Sequence, residues 1–184
     1  MIRSSVRIRL SAPTMQIELQ AQPDALVQQW RQILADPELA QRPGRIETDR
    51  YGRIVMSPPP ALPHSFYQSK ILQLLARLLP NGQALAECPL VTADGVKGID
   101  IAWLAPGRTE LAQGELVLMR APEICVEVLS PSNSTPEMAE KRALYFEAGA
   151  LEVWLCGLDG KVEFYTLALS ASSTLCPGFP SVIK

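Results

Sequence analysis

Hydrophobic residues in the first half of the chain recur at the spacing of an α-helix in two segments. The first segment covers residues 23–41 and begins with Pro23 and Asp24, a pair typical of helix N-termini. The second covers residues 64–79 and is followed by an Asn-Gly pair, which commonly ends a helix. The apolar positions are Leu26, Trp30, Ile33 and Leu34 in the first segment, and Phe66, Ile71, Leu74, Leu75, Leu78 and Leu79 in the second. The pattern predicts a helix in each segment.

A short β-hairpin is predicted between these two helices. Residues 45–48 and 53–56 form its strands, and residues 49–52, with the sequence Asp-Arg-Tyr-Gly, are typical of the turn between them. Three consecutive prolines at positions 58–60 cannot donate backbone hydrogen bonds to a sheet, so we expect them to end the second strand.

The second half of the chain changes to the pattern of a β-sheet. Five short segments are rich in Val, Ile, Leu and aromatic residues, which favour strands, and they cover residues 84–92, 97–105, 122–130, 152–158 and 161–169. One helix, residues 135–148, interrupts them. It begins either with a capping box of Ser134 and Glu137 or with Thr135 as N-cap before Pro136. The predicted fold class is α+β: an α/β/α-like mixed β-sheet flanked by helices, with an N-terminal helix and hairpin.

The composition is that of a globular protein. The chain has 184 residues, of which 47% are hydrophobic and 20% are charged, and its formal net charge is −2. No apolar run reaches the ~20 residues needed to span a bilayer, which excludes a membrane helix. The slight acidity argues against a protein that depends on nonspecific affinity for nucleic acid, although it is compatible with a local basic groove.

The start of the chain and its cysteines indicate organisation and location. Residues 1–14 contain three arginines and no acid, and we expect them to form a flexible tail before a single domain of residues 15–184. Met1 and Met15 are both candidate start residues. The four cysteines form neither a CxxC motif nor a Cys/His cluster, so the pattern excludes a structural zinc site and a redox motif. Without a signal peptide, we expect a cytoplasmic protein whose Cys125 and Cys156 are buried thiols.

Two acidic residues interrupt apolar strand segments. Asp100 lies within GIDIAWL and Glu127 within ICVEVL, and a buried carboxylate without a partner costs several kcal/mol. By strand alternation, Asp100 points to the same side as Ala102, and Glu127 to the same side as Cys125. If the two strands are neighbours, the carboxylates meet over an apolar patch, where a divalent cation such as Mg²⁺ or a shared proton would relieve their repulsion. The alternative is that each acid lies at an exposed sheet edge.

The helix that follows the Glu127 segment carries two candidate cations. On a helical wheel, Lys141 falls beside the apolar stripe, so that its charge would lie over the sheet. Alternatively, its stem covers the edge of the core while its ammonium group stays in water. Arg142 is a comparable candidate on the same wheel, which does not distinguish the two.

Three stretches of the chain together resemble the core of the Uma2 (DUF820-type) family, a branch of the restriction-endonuclease-like PD-(D/E)XK superfamily. They are GIDIAWL, PEICVEVLSPSNS and EKRALYFEAGALEVWL, in which EVLSPS followed by K…LY…AG…E-W is a specific combination. The resemblance extends back through GRIVMSPPPALPHSFYQSKILQLLARLL and forward to CPGFPS, and so covers residues 44–182. It implies a restriction-endonuclease-like core and a Mg²⁺-dependent nuclease.

The resemblance also implies a set of site residues. Asp100 and Glu127 would be ligands of Mg²⁺ or Mn²⁺, and the backbone carbonyl of Val128 would be a further ligand. Glu47 matches an acid of the family just before the hairpin turn and, as a further catalytic residue, would complete the metal site from the N-terminal side. A site of this kind hydrolyses phosphodiester bonds of nucleic acid, with DNA as the expected substrate.

The position of the catalytic lysine departs from the superfamily pattern. That lysine usually stands two residues after the second acid, where this chain has Leu129. In the family that this chain resembles, it has moved to the following helix, which implies Lys141 rather than Arg142. The proline of the PD motif is replaced by Ile99, a change that affects the backbone rather than the chemistry.

Three further polar residues are candidates for substrate contact. His64 is the only histidine of the chain and opens the second helix, where it could contact a phosphate or serve the helix start. Ser130 and Ser132 follow the Glu127 strand, and their hydroxyl groups could contact a nucleic-acid backbone. A plain strand-to-helix turn explains the same two serines, and we favour that interpretation.

The sequence therefore leaves two functional hypotheses. The first is a Mg²⁺-dependent endonuclease, favoured by the joint presence of Asp100, Glu127 and Lys141. The second is a noncatalytic binding module that retains the nuclease fold, favoured by the acidic charge and the absence of a basic stripe. A homodimer would give either one a longer shared surface. A purely structural role leaves the two acids unexplained.

Overall fold

The computed structural model describes residues 22–184, and the predicted tail of residues 1–14 and the alternative start at Met15 lie outside this range. The helices of the described chain are α1 (Pro23–Ala35), α2 (Pro37–Ala40), α3 (Leu62–Leu78), α4 (Thr109–Ala112) and α5 (Thr135–Glu147). The strands are β1 (Arg45–Thr48), β2 (Ile54–Ser57), β3 (Gln83–Thr92), β4 (Gly95–Leu104), β5 (Ile124–Val128), β6 (Glu152–Cys156), β7 (Val162–Thr166) and β8 (Ala168–Ser170).

Six of these strands form one mixed sheet in the order β3-β4-β5-β6-β7-β8. All neighbouring strands are antiparallel except β5 and β6, which run parallel. A parallel connection needs a crossover rather than a hairpin, and α5 provides it. Strands β1 and β2 form a separate antiparallel hairpin. A hydrogen bond of 2.8 Å from the Val96 amide to Thr48 Oγ1 connects this hairpin to the start of β4.

The two faces of the sheet bury different sets of side chains. One face packs against α3 and the C-terminal segment (residues 171–184), and its core includes Ile71, Leu75, Ile101, Val126, Trp154, Phe164 and Phe179. The other face packs against α5, and its core includes Ala102, Cys125, Tyr145 and Val153. The shared cluster of Ala102 and Cys125 agrees with the alternation predicted for the strands of Asp100 and Glu127. The fold class predicted from the sequence, a mixed sheet flanked by helices, is confirmed.

Local sequence signals explain where the helices begin and end. The predicted capping box of α5 is present: Ser134 Oγ accepts from the Glu137 amide, and the Glu137 carboxylate accepts from the Ser134 amide. The single helix predicted for residues 23–41 was wrong, because Asp36 adopts an extended conformation and caps α2, whose first residue is Pro37.

Two other predictions from the hydrophobic pattern were wrong in detail. The last predicted strand, residues 161–169, is divided into β7 and β8 by Leu167, whose φ of 74° turns the chain back on itself. Leu34 and Phe66, assigned to apolar helix faces, are 55% and 52% exposed. Within residues 22–184, no helix is both long and apolar enough to cross a membrane.

Candidate functional site

Asp100 is a buried acid whose carboxylate is held by three donors. It lies in β4, and only 2% of its surface is exposed. Its Oδ2 accepts hydrogen bonds from the Val128 amide at 2.7 Å and from His64 Nε2 at 3.1 Å, while its Oδ1 contacts the guanidinium of Arg45. Burial alone would raise the pKa of Asp100, but the contacts with His64, Arg45 and the Val128 amide outweigh it and hold the pKa below its ordinary value.

Glu127 lies in β5, next to Asp100 across the antiparallel pair. The last register pair of β4 and β5 is Ile101 with Val126, so Asp100 and Glu127 follow it at the same end. Glu127 Oε1 accepts from the Tyr145 hydroxyl at 2.6 Å, and its Oε2 lies 3.3 Å from Lys141 Nζ. Burial raises the pKa of Glu127 to about 7; the charge of Lys141 opposes this, whereas the charge of Asp100 adds to it. The positive charge of Lys141 therefore does not offset the effect of burial on this carboxyl group.

Lys141 connects the hairpin to the sheet. Its Nζ lies 3.0 Å from Glu47 Oε1 on β1 as well as 3.3 Å from Glu127 on β5. Glu47 Oε1 also accepts from the Gly98 amide at 3.0 Å, which fixes it against β4. Burial alone would lower the pKa of Lys141, but the charges of Glu127 and Glu47 raise it above its ordinary value. Elements far apart in sequence thus meet around one ammonium group.

The other predicted residues are placed as follows. His64 lies in the first turns of α3 and reaches Asp100, as described above. Ser130 and Ser132 bond to each other at 2.8 Å, and Ser130 also bonds to Asn133, which fits the turn that we favoured. Arg142 lies over the ring of Tyr165, 3.9 Å from its centroid, and no described contact joins it to the carboxylates.

Several residues that contact the predicted acids or their partners were not indicated by any pattern in the sequence. Arg45 on β1 donates to both Asp100 and Glu87, and Gln68 on α3 donates to Glu87 at 2.7 Å and to the Asp100 carbonyl at 2.9 Å. Glu87 adopts a φ of 55°, an unfavourable conformation for a residue with a side chain, at the point where the β3–β4 register is interrupted. Tyr145 on α5 also belongs to this group through its hydrogen bond to Glu127, and its position in the sequence gave no indication of that contact.

The chemistry of these side chains fits a divalent cation. Among residues 22–184, the carboxylates of Glu47, Glu87, Asp100 and Glu127 form ion pairs with two cationic side chains, Arg45 and Lys141, and with His64 when it is protonated. Among residues 22–184 no three His, Cys, Asp or Glu side chains form a ready-made metal cluster. Mg²⁺, however, usually takes only one or two carboxylates and completes its shell with water and substrate oxygens.

The buried hydroxyl of Tyr145 gives a first test of this geometry. Tyr145→Phe should lower the free energy of unfolding by about 1–3 kcal/mol, because it leaves an oxygen of buried Glu127 without its donor. Tyr165→Phe is the matched control: it removes a similar 2.8 Å bond to half-exposed Glu163, where water replaces the donor, and should cost less than about 1 kcal/mol. Urea denaturation measures both variants, and equal losses would contradict the buried hydrogen bond.

Comparison with known proteins places the chain in a family and supports its fold. The profile of the Uma2 family, described as "Putative restriction endonuclease", matches residues 27–178. The crystal structure of a putative nuclease belonging to DUF820 from Anabaena variabilis is 21% identical to this chain. It matches with a TM-score of 0.58 over 70% of this chain and 77% of that one, which shows a shared fold. No curated protein matches the chain. The profile covers most of the sequence, including every residue of the cluster described above, and the chain therefore belongs to the Uma2 family.

Proposed function

We propose that this protein is a divalent-metal-dependent nuclease that hydrolyses phosphodiester bonds of nucleic acid, with DNA as its first candidate substrate. One observation carries the proposal: Lys141 contacts both Glu47 and Glu127, while Asp100 accepts from the amide of Val128, the residue after Glu127, at the same end of the β4–β5 pair. Buried carboxylates beside a buried cation are costly for stability, which favours a functional reason for the cluster. The nuclease-like fold of the family supports the same conclusion.

In this proposal Asp100, Glu127 and the carbonyl of Val128 hold Mg²⁺ or Mn²⁺. A bound ion of this kind lowers the pKa of water and neutralises the charge that develops on the transferred phosphoryl group. The Val128 amide keeps Asp100 in place, and Tyr145 keeps Glu127 in place. The acids are therefore oriented before any ion binds, which reduces the cost of assembling the site.

Lys141 supplies a fixed positive charge beside the two ligands. Its ammonium group is held by Glu47 and Glu127, so it is positioned to stabilise negative charge on the phosphoryl oxygens as the bond breaks. Glu47 Oε1 is already engaged by Lys141 and by the Gly98 amide. We therefore propose that Glu47 positions Lys141 and is not itself a metal ligand.

The second candidate function is a noncatalytic binding module with the nuclease fold. The contact of Arg45 with Asp100 favours it, because a carboxylate that is already paired with a guanidinium is less available to a metal ion. A module of this kind would bind its partner without any requirement for Mg²⁺. The two candidates therefore differ in metal binding as well as in cleavage.

A cleavage assay with Asp100→Asn tests the nuclease proposal. We expect the wild-type protein to cut plasmid, linear duplex, single-stranded DNA or RNA in the presence of Mg²⁺ or Mn²⁺. Asp100→Asn should be at least about 10³-fold slower, because it weakens the metal site that supplies several kcal/mol of transition-state stabilisation. Asp24→Asn, at an exposed position of α1, controls for the loss of one negative charge.

The outcomes of this assay separate the two candidates. Cleavage that survives in Asp100→Asn and in Lys141→Ala would overturn the site assignment. Failure to cut any of the four substrates, together with no calorimetric signal for Mg²⁺ or Mn²⁺, would favour the binding module. Light scattering of the same samples tests the proposed homodimer.

A further inference from the structure

The guanidinium of Arg45 occupies the space between the acids of the candidate site. Its Nη2 contacts Asp100 Oδ1 and also donates to Glu87 Oε2 at 2.8 Å, while its Nε donates to Glu87 Oε2 at 3.1 Å. Its Nη1 donates to the Gly98 carbonyl at 3.1 Å. Each nitrogen of the guanidinium is thus engaged, and the Arg45 side chain is only 21% exposed. Arg45 is therefore part of the site and not a surface cation near it.

The backbone of the protein is shaped to accept this arginine. A Cβ atom on Gly98 would lie 2.8 Å from Arg45 Cδ, so the arginine stem crosses β4 where the strand has no side chain. Glu87 holds the other side of the guanidinium from a backbone conformation that is unfavourable for a glutamate. Gln68 donates to the same Glu87 carboxylate at 2.7 Å, which keeps it turned towards Arg45. Two strands and one helix together form a slot for one cation.

We propose that Arg45 is the resident counter-cation of Asp100, which a divalent metal ion must displace, and that Glu87 retains the displaced guanidinium. This inference rests on the proposed nuclease function. A guanidinium in contact with Asp100 and a divalent ion on the same carboxylate repel each other strongly at such short range. Metal binding would therefore move Arg45 away from Asp100, while Glu87, which makes its other ion pair, keeps it within the site. The released Nη2 group could then donate to a phosphate oxygen of the substrate.

This role makes a specific prediction for metal affinity. Calorimetric titration with Mn²⁺ and Mg²⁺ should give a dissociation constant at least about tenfold lower for Arg45→Met than for the wild type, because a competing charge has been removed. Arg31→Met, on the exposed side of α1, changes the net charge equally and should leave the constant within about twofold of the wild-type value. The same Arg45→Met protein should cut nucleic acid more slowly despite its tighter metal binding.

A second variant guards against misfolding of Arg45→Met. Gly98→Ala keeps every charge but places a methyl group against the Arg45 stem, which should push the guanidinium away from Asp100. We therefore expect this variant to bind the metal ion more tightly as well. Thermal melts report whether each variant is folded. Unchanged or weaker metal affinity in both variants would overturn the inference, while metal-dependent cleavage by the wild type would leave the proposed function standing. If neither the wild type nor Arg45→Met binds a metal, both proposals fail. If Arg45→Met binds a metal ion and the wild type does not, the result would support the inference and show that Arg45 prevents metal binding at Asp100.

Discussion

Replacing Lys141 with methionine should lower the rate of phosphodiester cleavage by about 10²–10³-fold, the usual effect of removing one preorganised group that stabilises transition-state charge. The affinity for Mg²⁺ should stay the same or increase, because Glu127 loses a neighbouring positive charge that competes with the ion. Single-turnover cleavage at saturating Mg²⁺ gives the rate, and calorimetry gives the affinity. If Lys141 had a purely structural role, the cleavage rate and the affinity for Mg²⁺ would change together.

The neighbouring arginine provides the matched control for this prediction. Arg142→Met removes the same charge one residue along α5, but Arg142 lies over Tyr165, and we expect cleavage within about twofold of the wild-type rate. Lys141→Met leaves Glu47 and Glu127 without their shared cation and should cost about 3–5 kcal/mol of stability, so its folding must be verified by thermal melting. Lys141→Arg retains the charge if the methionine variant does not fold. Equal loss of cleavage in Arg142→Met and Lys141→Met would contradict the specific role of Lys141.

The two central acids could be found from the sequence because their neighbours are apolar. Asp100 and Glu127 each stand out because hydrophobic residues flank them directly on both sides, and both are buried in the structure. Strand alternation predicted that the two carboxylates would meet only if their strands were neighbours, and β4 and β5 are indeed paired, with both acids at the same end of the pair. A local anomaly in a regular pattern is thus enough to identify a buried charge.

The partners of these acids could not be found in the same way. Glu47 stands among polar residues, where one more charge is no anomaly, and only the family resemblance indicated it. The helical wheel offered Lys141 and Arg142 equally, and the resemblance favoured Lys141. Arg45 and Glu87 had no signal at all, because their importance depends on the gap that Gly98 leaves on β4 and on the unusual backbone angle at Glu87. Contacts between elements far apart in sequence do not appear in any single-segment pattern.

A second buried acid, Glu152, shows how context also hides structural residues. It is the first residue of β6 and is only 1% exposed, yet a charged residue that follows the turn at Gly149 looks like the ordinary start of a strand. Its carboxylate accepts hydrogen bonds from the Trp154 indole at 2.7 Å, from the Ser173 hydroxyl at 2.7 Å and from the Leu175 amide at 2.8 Å. Both the amide and the hydroxyl of Thr174 donate to it as well. Glu152 therefore attaches the C-terminal segment to the sheet.

Replacing Glu152 with alanine should lower the free energy of unfolding at pH 7 by about 3–5 kcal/mol, because several buried donors lose their acceptor at once. Glu152→Gln should also destabilise the protein, since an amide NH₂ group would face donors instead of accepting from them. Urea denaturation measures both variants, and Glu110→Gln, at an exposed position of α4, serves as the control. A Glu152→Gln protein as stable as Glu110→Gln would show that the hydrogen bonds to the carboxylate contribute little.

The same carboxylate predicts a dependence of stability on pH. Burial acts to raise the pKa of Glu152, but the hydrogen bonds from Thr174, Ser173, Leu175 and Trp154 outweigh it and lower the pKa below its ordinary value of 4.5. A group whose pKa is lower in the folded state stabilises the protein above the unfolded pKa, and this contribution is lost as the pH falls through the folded pKa. The stability difference between wild type and Glu152→Gln should therefore be constant from neutral pH down to about pH 5 and shrink below it. Denaturation curves across this range measure the difference, and one that grows on acidification would contradict the ionised, hydrogen-bonded state of Glu152.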